Sequence, residues 1–361
     1  MSSASRASRS SVLVLVLVLL ATLVAGEQSA QARSHDRYRP GHRYSGDFPD
    51  PSVLRVGAKY VAYGTSTGGR NLPVLQSRNL RRWNARPASR VNPAGDALIR
   101  VARWARGVRG AHGRVRGAVW APAVTRVARH RYLLAYATRV RKPHPRRGRM
   151  CVSVAVSRSP LGPFRDRSRR PVVCPRRGAI DPQIYRPPGH RRPWLLWKVD
   201  SRPARILIRP MNLRGTRLLP GSRTRVLVRP KQRWEGRIVE NPGMIRYRGR
   251  FYLFYSGNRY ASRKYAVGYL ICRTWRGGCH RPRRKPLLAS RGRIVGPGGA
   301  APFVDRRGRL RLVYHAWQRG KVGYSARPVC RRHPARCGQR KLYVATVRPG
   351  KAGVLRVVRR R

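Results

Sequence analysis

The chain has 361 residues, and its 83 lysines and arginines far outnumber its 11 aspartates and glutamates, so the formal net charge at pH 7 is +72. This balance predicts non-specific attraction to polyanions, although a compositional drift toward arginine explains the same excess. The basic residues are spread along the whole chain, and no helix-turn-helix, zinc-finger or RNA-recognition pattern is present, which excludes a recognisable module for specific nucleic-acid binding.

The N-terminus has the pattern of a secretory signal peptide. Arginines precede an apolar run from Val12 to Ala25, and a small-x-small cleavage site ends at Ala32. About 14 apolar residues are too few to span a bilayer comfortably, which disfavours a membrane anchor. We therefore predict a signal peptide over 1–32, an Arg/His-rich linker over 33–44, and a secreted protein with no membrane association after cleavage.

A short phrase then recurs five times along the chain. Each copy has a proline, an apolar strand, a Gly/Arg turn and an aromatic-rich strand, and a third apolar run follows. The prolines lie 71, 60, 60 and 60 residues apart, and the longer first step falls in an Arg-rich stretch before Trp120. They are Pro51, Pro122, Pro182, Pro242 and Pro302. A repeated module of several short strands predicts an all-β fold, a five-bladed β-propeller of four-stranded antiparallel sheets over 45–361.

The innermost strand of each propeller blade lines a central channel, so residues just before these strands converge at one mouth. Asp50, Asp181 and Glu240 occupy such positions in a chain that is poor in acids, and Trp120 occupies another. Aspartate before proline is also a common turn residue, which offers a purely structural explanation for each aspartate. Glutamate is a poor turn former, so the three together predict a shared functional site.

These residues and their surroundings resemble glycoside hydrolase family 43, the five-bladed propeller arabinanases, arabinofuranosidases and xylosidases. The resemblance runs from about Ser45 to Tyr343. It rests on DFPDPSV at Asp47, NLRRW at Asn79, VWAP at Val119, GPF at Gly162, AIDPQIY at Ala179, VENPGM at Val239, YLFYSGN at Tyr252 and YHAW at Tyr314.

The resemblance implies an inverting hydrolysis carried by three carboxylates. Asp50 takes the place of the general base that activates water, and Glu240 that of the general acid that protonates the leaving oxygen. Asp181 takes the place of the acid that orients Glu240 and raises its pKa. Inverting carboxylates stand about 6.5 to 9.5 Å apart to admit the water, a gap that side chains from different blades can provide.

Further roles implied by the resemblance concern substrate and ion binding. Trp120 and Phe48 are expected to contact the sugar, although aromatic residues at strand ends usually belong to the core. His315 takes the position of a histidine that lies near an ion, often calcium, on the propeller axis. The histidine would contact this ion directly or through water. A lone histidine in an aromatic strand is more often a core residue. Ala123 replaces the aspartate of the family's usual WAPD, so the resemblance does not define the contacts near Trp120.

The six cysteines fall into three neighbouring pairs. They are Cys151 and Cys174, Cys272 and Cys279, and Cys330 and Cys337. Fifteen connectivities are formally possible, and pairing neighbours is the simplest in an exported chain. A zinc site is disfavoured because no CxxC or close Cys/His pattern is present.

The sequence lacks a GxSxG elbow, a Walker loop and an HExxH motif. We therefore predict a secreted inverting glycosidase that acts on arabinose- or xylose-containing polymers of plant cell walls, first on α-L-arabinofuranosyl linkages. The alternatives are a β-D-xylosidase or endo-arabinanase of the same family, or a non-catalytic propeller that binds polyanions or carbohydrate.

Overall fold

Five antiparallel sheets follow one another along the chain and form the blades of a propeller, which confirms the predicted fold. A computed structural model describes residues 43–85, 95–110, 113–141, 148–318, 320–325, 330 and 337–358. The predicted signal peptide and most of the predicted linker lie outside these residues. Within them, no helix is long and apolar enough to cross a membrane.

Each blade takes its strands in chain order from the channel outward. Blade one contains β1 (Ser52–Val56), β2 (Lys59–Tyr63), β3 (Val74–Ser77) and β4 (Asn84–Ala85). The hairpin β5 (Gly107–Arg109) and β6 (Val115–Gly117) comes before blade two, which contains β7 (Trp120–Ala128), β8 (Arg131–Arg139) and β9 (Met150–Ser157). Blade three contains β10 (Ala179–Tyr185), β11 (Trp194–Val199), β12 (Arg205–Pro210) and β13 (Arg225–Val228).

The last two blades have four strands each. Blade four contains β14 (Val239–Tyr247), β15 (Arg250–Gly257), β16 (Ala266–Thr274) and β17 (Gly277–His280). Blade five contains β18 (Val295–Val304), β19 (Leu310–Trp317), β20 (Arg340–Pro349) and β21 (Leu355–Val358). In blade two the fourth strand is reduced to two isolated bridges, Val152 with Val173 and Val156 with Arg165.

The N-terminal end of the described chain closes the ring. The inner strands pack against one another in order, and β18 packs against β1. Arg43 donates its backbone N–H to the carbonyl of Leu342 at 2.8 Å, and Tyr44 forms a bridge with the same residue. Strand β21 covers only the later part of β20, so the N-terminal segment supplies hydrogen bonds that the earlier part would otherwise lack. The last two residues of the predicted linker thus belong to the fifth sheet.

Apolar side chains fill the spaces between neighbouring blades. One cluster packs Tyr63 of blade one against Leu134 and Tyr136 of blade two, and all three are fully buried. The cysteines form the disulfides Cys151–Cys174, Cys272–Cys279 and Cys330–Cys337, as predicted. Each disulfide links residues close in sequence, so the contacts between blades are made by packing rather than by covalent bonds.

The carboxylates are gathered inside the fold, while most of the basic charge lies outside. Of the nine acidic residues in the described ranges, Asp200 alone is exposed. Asp96, Glu235 and Asp305 are almost fully buried, and each forms an ion pair with an arginine. Most surface arginines therefore face other arginines across solvent. Their positive charges repel one another, and salt screens this repulsion.

This charge distribution predicts a stability that depends on ionic strength. We expect the melting temperature to rise by about 5 °C or more between about 20 and about 500 mM NaCl, because screening weakens repulsion between like charges on the surface. Thermal unfolding followed by circular dichroism at several salt concentrations measures this shift. A melting temperature that stays constant would contradict the expectation.

Candidate active site

The starts of the inner strands meet around one central cavity. All five anchoring prolines line it, and so do Asp50, Asp181 and Asn241. The repeat therefore brings Asp50 and Asp181 to one cavity, whereas Glu240 and Trp120 directly precede the lining residues Asn241 and Ala121.

The residues that precede four of these prolines share a backbone irregularity, which sets their orientation. In blades two to four the pairing of the inner strand shifts at this point, which leaves a bulge. Asp50, Ala121, Asp181 and Asn241 have φ values of 49°, 43°, 54° and 50°. This left-handed conformation costs most residues about 1 to 2 kcal/mol, and Asp and Asn tolerate it best. Three of the four positions hold a residue suited to the bend.

The fifth blade reaches the same conformation with glycine. Its pairing shifts twice, and the left-handed position near the cavity is Gly299, with φ of 58°. A Cβ atom on Gly299 would lie 2.6 Å from the His315 ring, so no larger residue fits there without displacing the histidine. The close approach brings the His315 ring next to Gly299, which lines the cavity.

Asp50 is held by groups from distant parts of the chain. Its Oδ1 lies 3.0 Å from Nη1 of Arg340, and its Oδ2 accepts a hydrogen bond from Thr65 at 2.7 Å. Its backbone N–H donates to Nδ1 of His315 at 3.0 Å. Burial alone would raise the pKa of Asp50, but the Arg340 charge and these contacts hold that pKa below its ordinary value. Asp50 is therefore an anion at neutral pH.

Arg340 lies in a cage of aromatic rings. Its guanidinium carbon is 5.3 Å from the ring centre of Tyr260, 5.8 Å from that of Trp317 and 5.2 Å from that of Tyr324. Its Nε donates to the Tyr324 hydroxyl at 2.9 Å, and that hydroxyl lies 3.0 Å from Asp47 Oδ2. The cage fixes the direction in which the cation points, toward Asp50.

Asp181 and Glu240 form a second group that also contains a lysine. Lys198 donates to Oε2 of Glu240 at 2.8 Å, and the Tyr265 hydroxyl donates to Oε1 at 2.8 Å. The backbone N–H of Asn241 donates to Oδ2 of Asp181 at 3.0 Å. Burial would lower the pKa of Lys198, but the charges of Glu240 and Asp181 raise it above its usual value, so the lysine stays charged.

The Asp181 carboxyl keeps a proton at neutral pH. Burial, and next the nearby charge of Glu240, raise its pKa to about 8. Lys198 supplies a positive charge beside these two carboxyl groups. Asp50 is ionised, so the site contains one protonated carboxyl, Asp181, and one carboxylate, Asp50.

The two aromatic residues expected to contact sugar lie in different places. Trp120 is 39% exposed at the start of β7 and directly precedes Ala121, which lines the cavity. Phe48 is 1% exposed and packs edge-on against Tyr44 under Gly64. The structure corrects the expectation for Phe48, because its ring is buried in the core and has almost no surface that a sugar could contact.

His315 does not fit direct coordination of a cation. A backbone N–H donates to its Nδ1, and burial lowers its pKa to about 3, so the ring is neutral with its proton on Nε2. That Nε2 atom is buried and has no hydrogen-bond partner, and a protonated nitrogen cannot ligate a metal. The described residues contain no group of three or more His, Cys, Asp or Glu side chains that could hold a metal ion. Calcium reached through water remains a prediction.

Sequence reasoning missed Lys198, Arg340 and Tyr265. Lys198 had a usable signal, because it is a charged residue within the otherwise apolar strand β11 and is buried there. Arg340 had none, since it is one of 83 basic residues and meets Asp50 across 290 positions. Tyr265 precedes an apolar strand, where a tyrosine is usually part of the core.

Comparisons with known proteins agree with this architecture. The family model described as Glycosyl hydrolases family 43 matches residues 44–335. No curated protein matches the chain in sequence. A solved structure of a thermostable family-43 glycoside hydrolase is 23% identical with a TM-score of 0.67, over 89% of this chain and 96% of that one.

Two further solved structures carry different activities in their descriptions. An endo-1,4-beta-xylanase from Bacteroides thetaiotaomicron VPI-5482 is 23% identical with a TM-score of 0.66, over 87% of this chain and 95% of that one. An alpha-L-arabinofuranosidase from Lactobacillus brevis is 17% identical with a TM-score of 0.63, over 85% and 93%. At these identities the likeness shows a shared fold.

Proposed function

The chain belongs to glycoside hydrolase family 43, and from that membership we propose that it is a secreted, inverting enzyme that releases α-L-arabinofuranosyl groups from plant cell-wall polysaccharides. The observation that carries the proposal is the arrangement at the cavity, which is lined by an ionised Asp50 and a protonated Asp181, with Glu240 directly before the lining residue Asn241. Inverting hydrolysis needs one carboxylate that accepts a proton and one carboxyl that donates a proton.

Asp50 is the proposed general base. Its lowered pKa keeps it ionised over the whole neutral range, so it can accept a proton from a water molecule as that water attacks the anomeric carbon. Thr65 and Arg340 hold one carboxylate oxygen each and so fix the direction of the carboxylate.

Glu240 is the proposed general acid. The Tyr265 and Lys198 hydrogen bonds hold its two oxygens in place. As the glycosidic bond breaks, Glu240 gives a proton to the leaving oxygen and becomes a carboxylate. The neighbouring Asp181 is protonated, so it adds no negative charge where the leaving oxygen gains electron density, and the Asn241 backbone N–H holds it in place. Trp120 offers a ring surface on which a sugar of the substrate stacks.

Hydrolysis of aryl α-L-arabinofuranoside and aryl β-D-xyloside, with the released anomer followed by NMR, tests the proposal. Arabinose released with inverted configuration is expected. Preferential release of xylose would assign the enzyme to the β-D-xylosidase alternative, and a retained configuration would overturn the roles of the carboxylates. Folded protein that releases neither pentose would favour the non-catalytic alternative.

The carboxyl pKa values predict the shape of the pH profile. We expect kcat/KM to stay level from about pH 4 upward, because Asp50 ionises below its ordinary value of 3.8. Above about pH 8 the rate should fall, because Asp181 then ionises and places a negative charge where the leaving oxygen gains electron density. Initial rates on an aryl arabinofuranoside between pH 3 and pH 10 measure the acidic and the basic limb of the profile. A rate that keeps rising above pH 8 would contradict the proposed role of Asp181.

Asp181→Asn should separate the contribution of Asp181 to catalysis from its contribution to stability. A carboxyl whose folded-state pKa is raised to about 8 makes the fold less stable as the pH rises from its unfolded value of 3.8 toward 8. The variant should therefore unfold at a higher temperature than the wild type at pH 7.5, and at the same temperature near pH 3, while losing activity by about 100-fold. Equal melting temperatures at both pH values would contradict the raised pKa.

A further inference from the structure

The longest step of the repeat builds an arginine-rich hairpin next to the site. The connection between β4 and β7 is where the 60-residue spacing lengthens to 71, and it contains the β5–β6 hairpin. Between residues 95 and 117 it carries six arginines and one carboxylate. That carboxylate, Asp96, is fully buried and is used to bind Arg114 and the backbone of the β2–β3 connection. The arginines are Arg100, Arg103, Arg106, Arg109, Arg114 and Arg116.

Hydrogen bonds place this hairpin at the site end of the propeller. On one side, Arg106 donates its backbone N–H to Arg139, which lies two residues beyond the partner of Trp120 in β8. On the other side, the Gly117 N–H donates to the side chain of Asn71 at 2.9 Å. Asn71 belongs to the β2–β3 connection, the segment that also brings Thr65 to Asp50. The hairpin therefore stands between blades one and two and leads directly into Trp120.

Three arginines at the hairpin are exposed and have no carboxylate partner among the described residues. Arg106, Arg109 and Arg116, which we call the arginine rim, are all exposed. No ion pair joins any of them to a carboxylate in the described ranges, where the acids are committed elsewhere. A guanidinium presents two parallel N–H groups that match a carboxylate, so this rim is suited to bind anions carried on a chain that also crosses Trp120.

We propose that the arginine rim binds uronic-acid carboxylates, so that the substrate is an acidic polysaccharide whose neutral pentose side groups are removed in the cavity. The inference rests on the proposed function and names the class of polymer that it acts on. An acidic polysaccharide fits better than nucleic acid because the hairpin leads along the chain to Trp120 and to Ala121, which lines the cavity of the proposed hydrolysis. In addition, strands β5 and β6 carry arginines and contain no aromatic ring on which bases could stack.

The test compares glucuronoarabinoxylan with the same polymer after its carboxylates have been reduced to primary alcohols. For the wild-type protein at low salt, kcat/KM on the acidic polymer should exceed that on the reduced polymer about ten-fold, and the difference should disappear in high salt. Hydrolysis of the uncharged aryl arabinofuranoside should not change over the same salt range. Equal rates on the two polymers at low salt would overturn the proposal.

Two triple variants separate the rim from the general charge of the molecule. Arg106→Gln, Arg109→Gln and Arg116→Gln remove three charges at the rim. Arg129→Gln, Arg248→Gln and Arg307→Gln remove three exposed charges from turns at the opposite ends of blades two, four and five. The rim variant should lose the preference for the acidic polymer and keep its activity on the aryl substrate, whereas the control variant should keep both. Equal loss in the two variants would overturn the proposal.

Binding distinguishes failure of this inference from failure of the proposed function. Affinity electrophoresis in gels that contain the acidic or the reduced polymer needs no hydrolysis. Stronger retardation by the acidic polymer, lost in the rim variant and kept in the control, supports the rim even if no pentose is released. Tighter binding to duplex DNA than to the acidic polymer, lost in the rim variant alone, would assign the rim to nucleic acid and overturn the proposal.

Discussion

Glu240→Gln should lower kcat/KM on arabinosides with a poor leaving group by about 1000-fold, because general acid catalysis contributes factors of this size. An arabinofuranoside with a dinitrophenyl leaving group should be hydrolysed nearly as fast as by the wild type, because that group departs without a proton. Asp50→Asn should lose activity to a similar extent on both substrates, since water still has to be activated. Kinetics on the pair of substrates therefore separates the acid from the base.

Asp200→Asn is the matched control for these two variants. It makes the same kind of change at an exposed carboxylate that lies 3.4 Å from the same Lys198. Its kcat/KM should stay within about two-fold of the wild type, because exposed ion pairs contribute little. Sugar binding by the two site variants, measured by calorimetry, should be retained. Full activity in Glu240→Gln on a poor leaving group would refute the assignment of the acid.

Arg340→Met should produce the largest loss of stability among single substitutions at the site. It leaves the buried Asp50 carboxylate without its cation, and breaking a buried pair from one side costs on the order of 3 to 5 kcal/mol. It also removes the hydrogen bond to Tyr324 and the cation from its aromatic cage. Denaturant unfolding at neutral pH measures the free energy of unfolding.

The same variant should change the pH dependence of activity. Because Asp50 has a lowered pKa in the folded protein, its stabilising contribution is complete above the ordinary value of 3.8 and is lost as the pH falls through the folded-state pKa. Without Arg340 the acidic limb of the rate profile should move up by about 1 to 3 pH units. An unchanged acidic limb would show that another group sets the ionisation of the base.

Arg309→Met supplies the control for stability. Arg309 also pairs with a buried carboxylate, Asp305, at 2.9 Å, but its side chain is 41% exposed and Arg311 lies 3.8 Å from the same carboxylate. The loss should therefore be about 1 kcal/mol or less. If Arg309→Met lowered the free energy of unfolding as much as Arg340→Met, the effect would follow from removing any arginine. It would then not be specific to the pairing of Arg340 with Asp50.

The repeat was enough to predict the propeller and the meeting of Asp50, Asp181 and Glu240, because a fixed period puts the same end of each inner strand at the channel. The structural explanation of the aspartates was also partly right. Asp50 and Asp181 occupy a left-handed bend that aspartate tolerates well, and the same bend turns their side chains toward the centre. One residue type therefore satisfies the backbone and provides the carboxylate.

The features of the site that could not be predicted from the sequence depend on side-chain direction and on contacts between distant residues. Phe48 lies two positions before Asp50, yet it points into the core. The spacing along a chain does not reveal which side of a segment faces a cavity when the segment is not a regular strand. The pairing of Arg340 with Asp50 arises only when the ring closes, and no local pattern distinguishes that arginine from the others.

The closure of the ring by the N-terminal segment bears on how the active protein is made. Tyr44 pairs with Leu342, and Asp50 forms its ion pair with Arg340. Both contacts can therefore form only after the fifth blade has left the ribosome. Four blades can form their own hairpins during synthesis, but the proposed base stays without its cation until almost the whole chain has been translated. Translation that stops before Arg340 yields a product with an open ring, an uncovered sheet edge and no completed site.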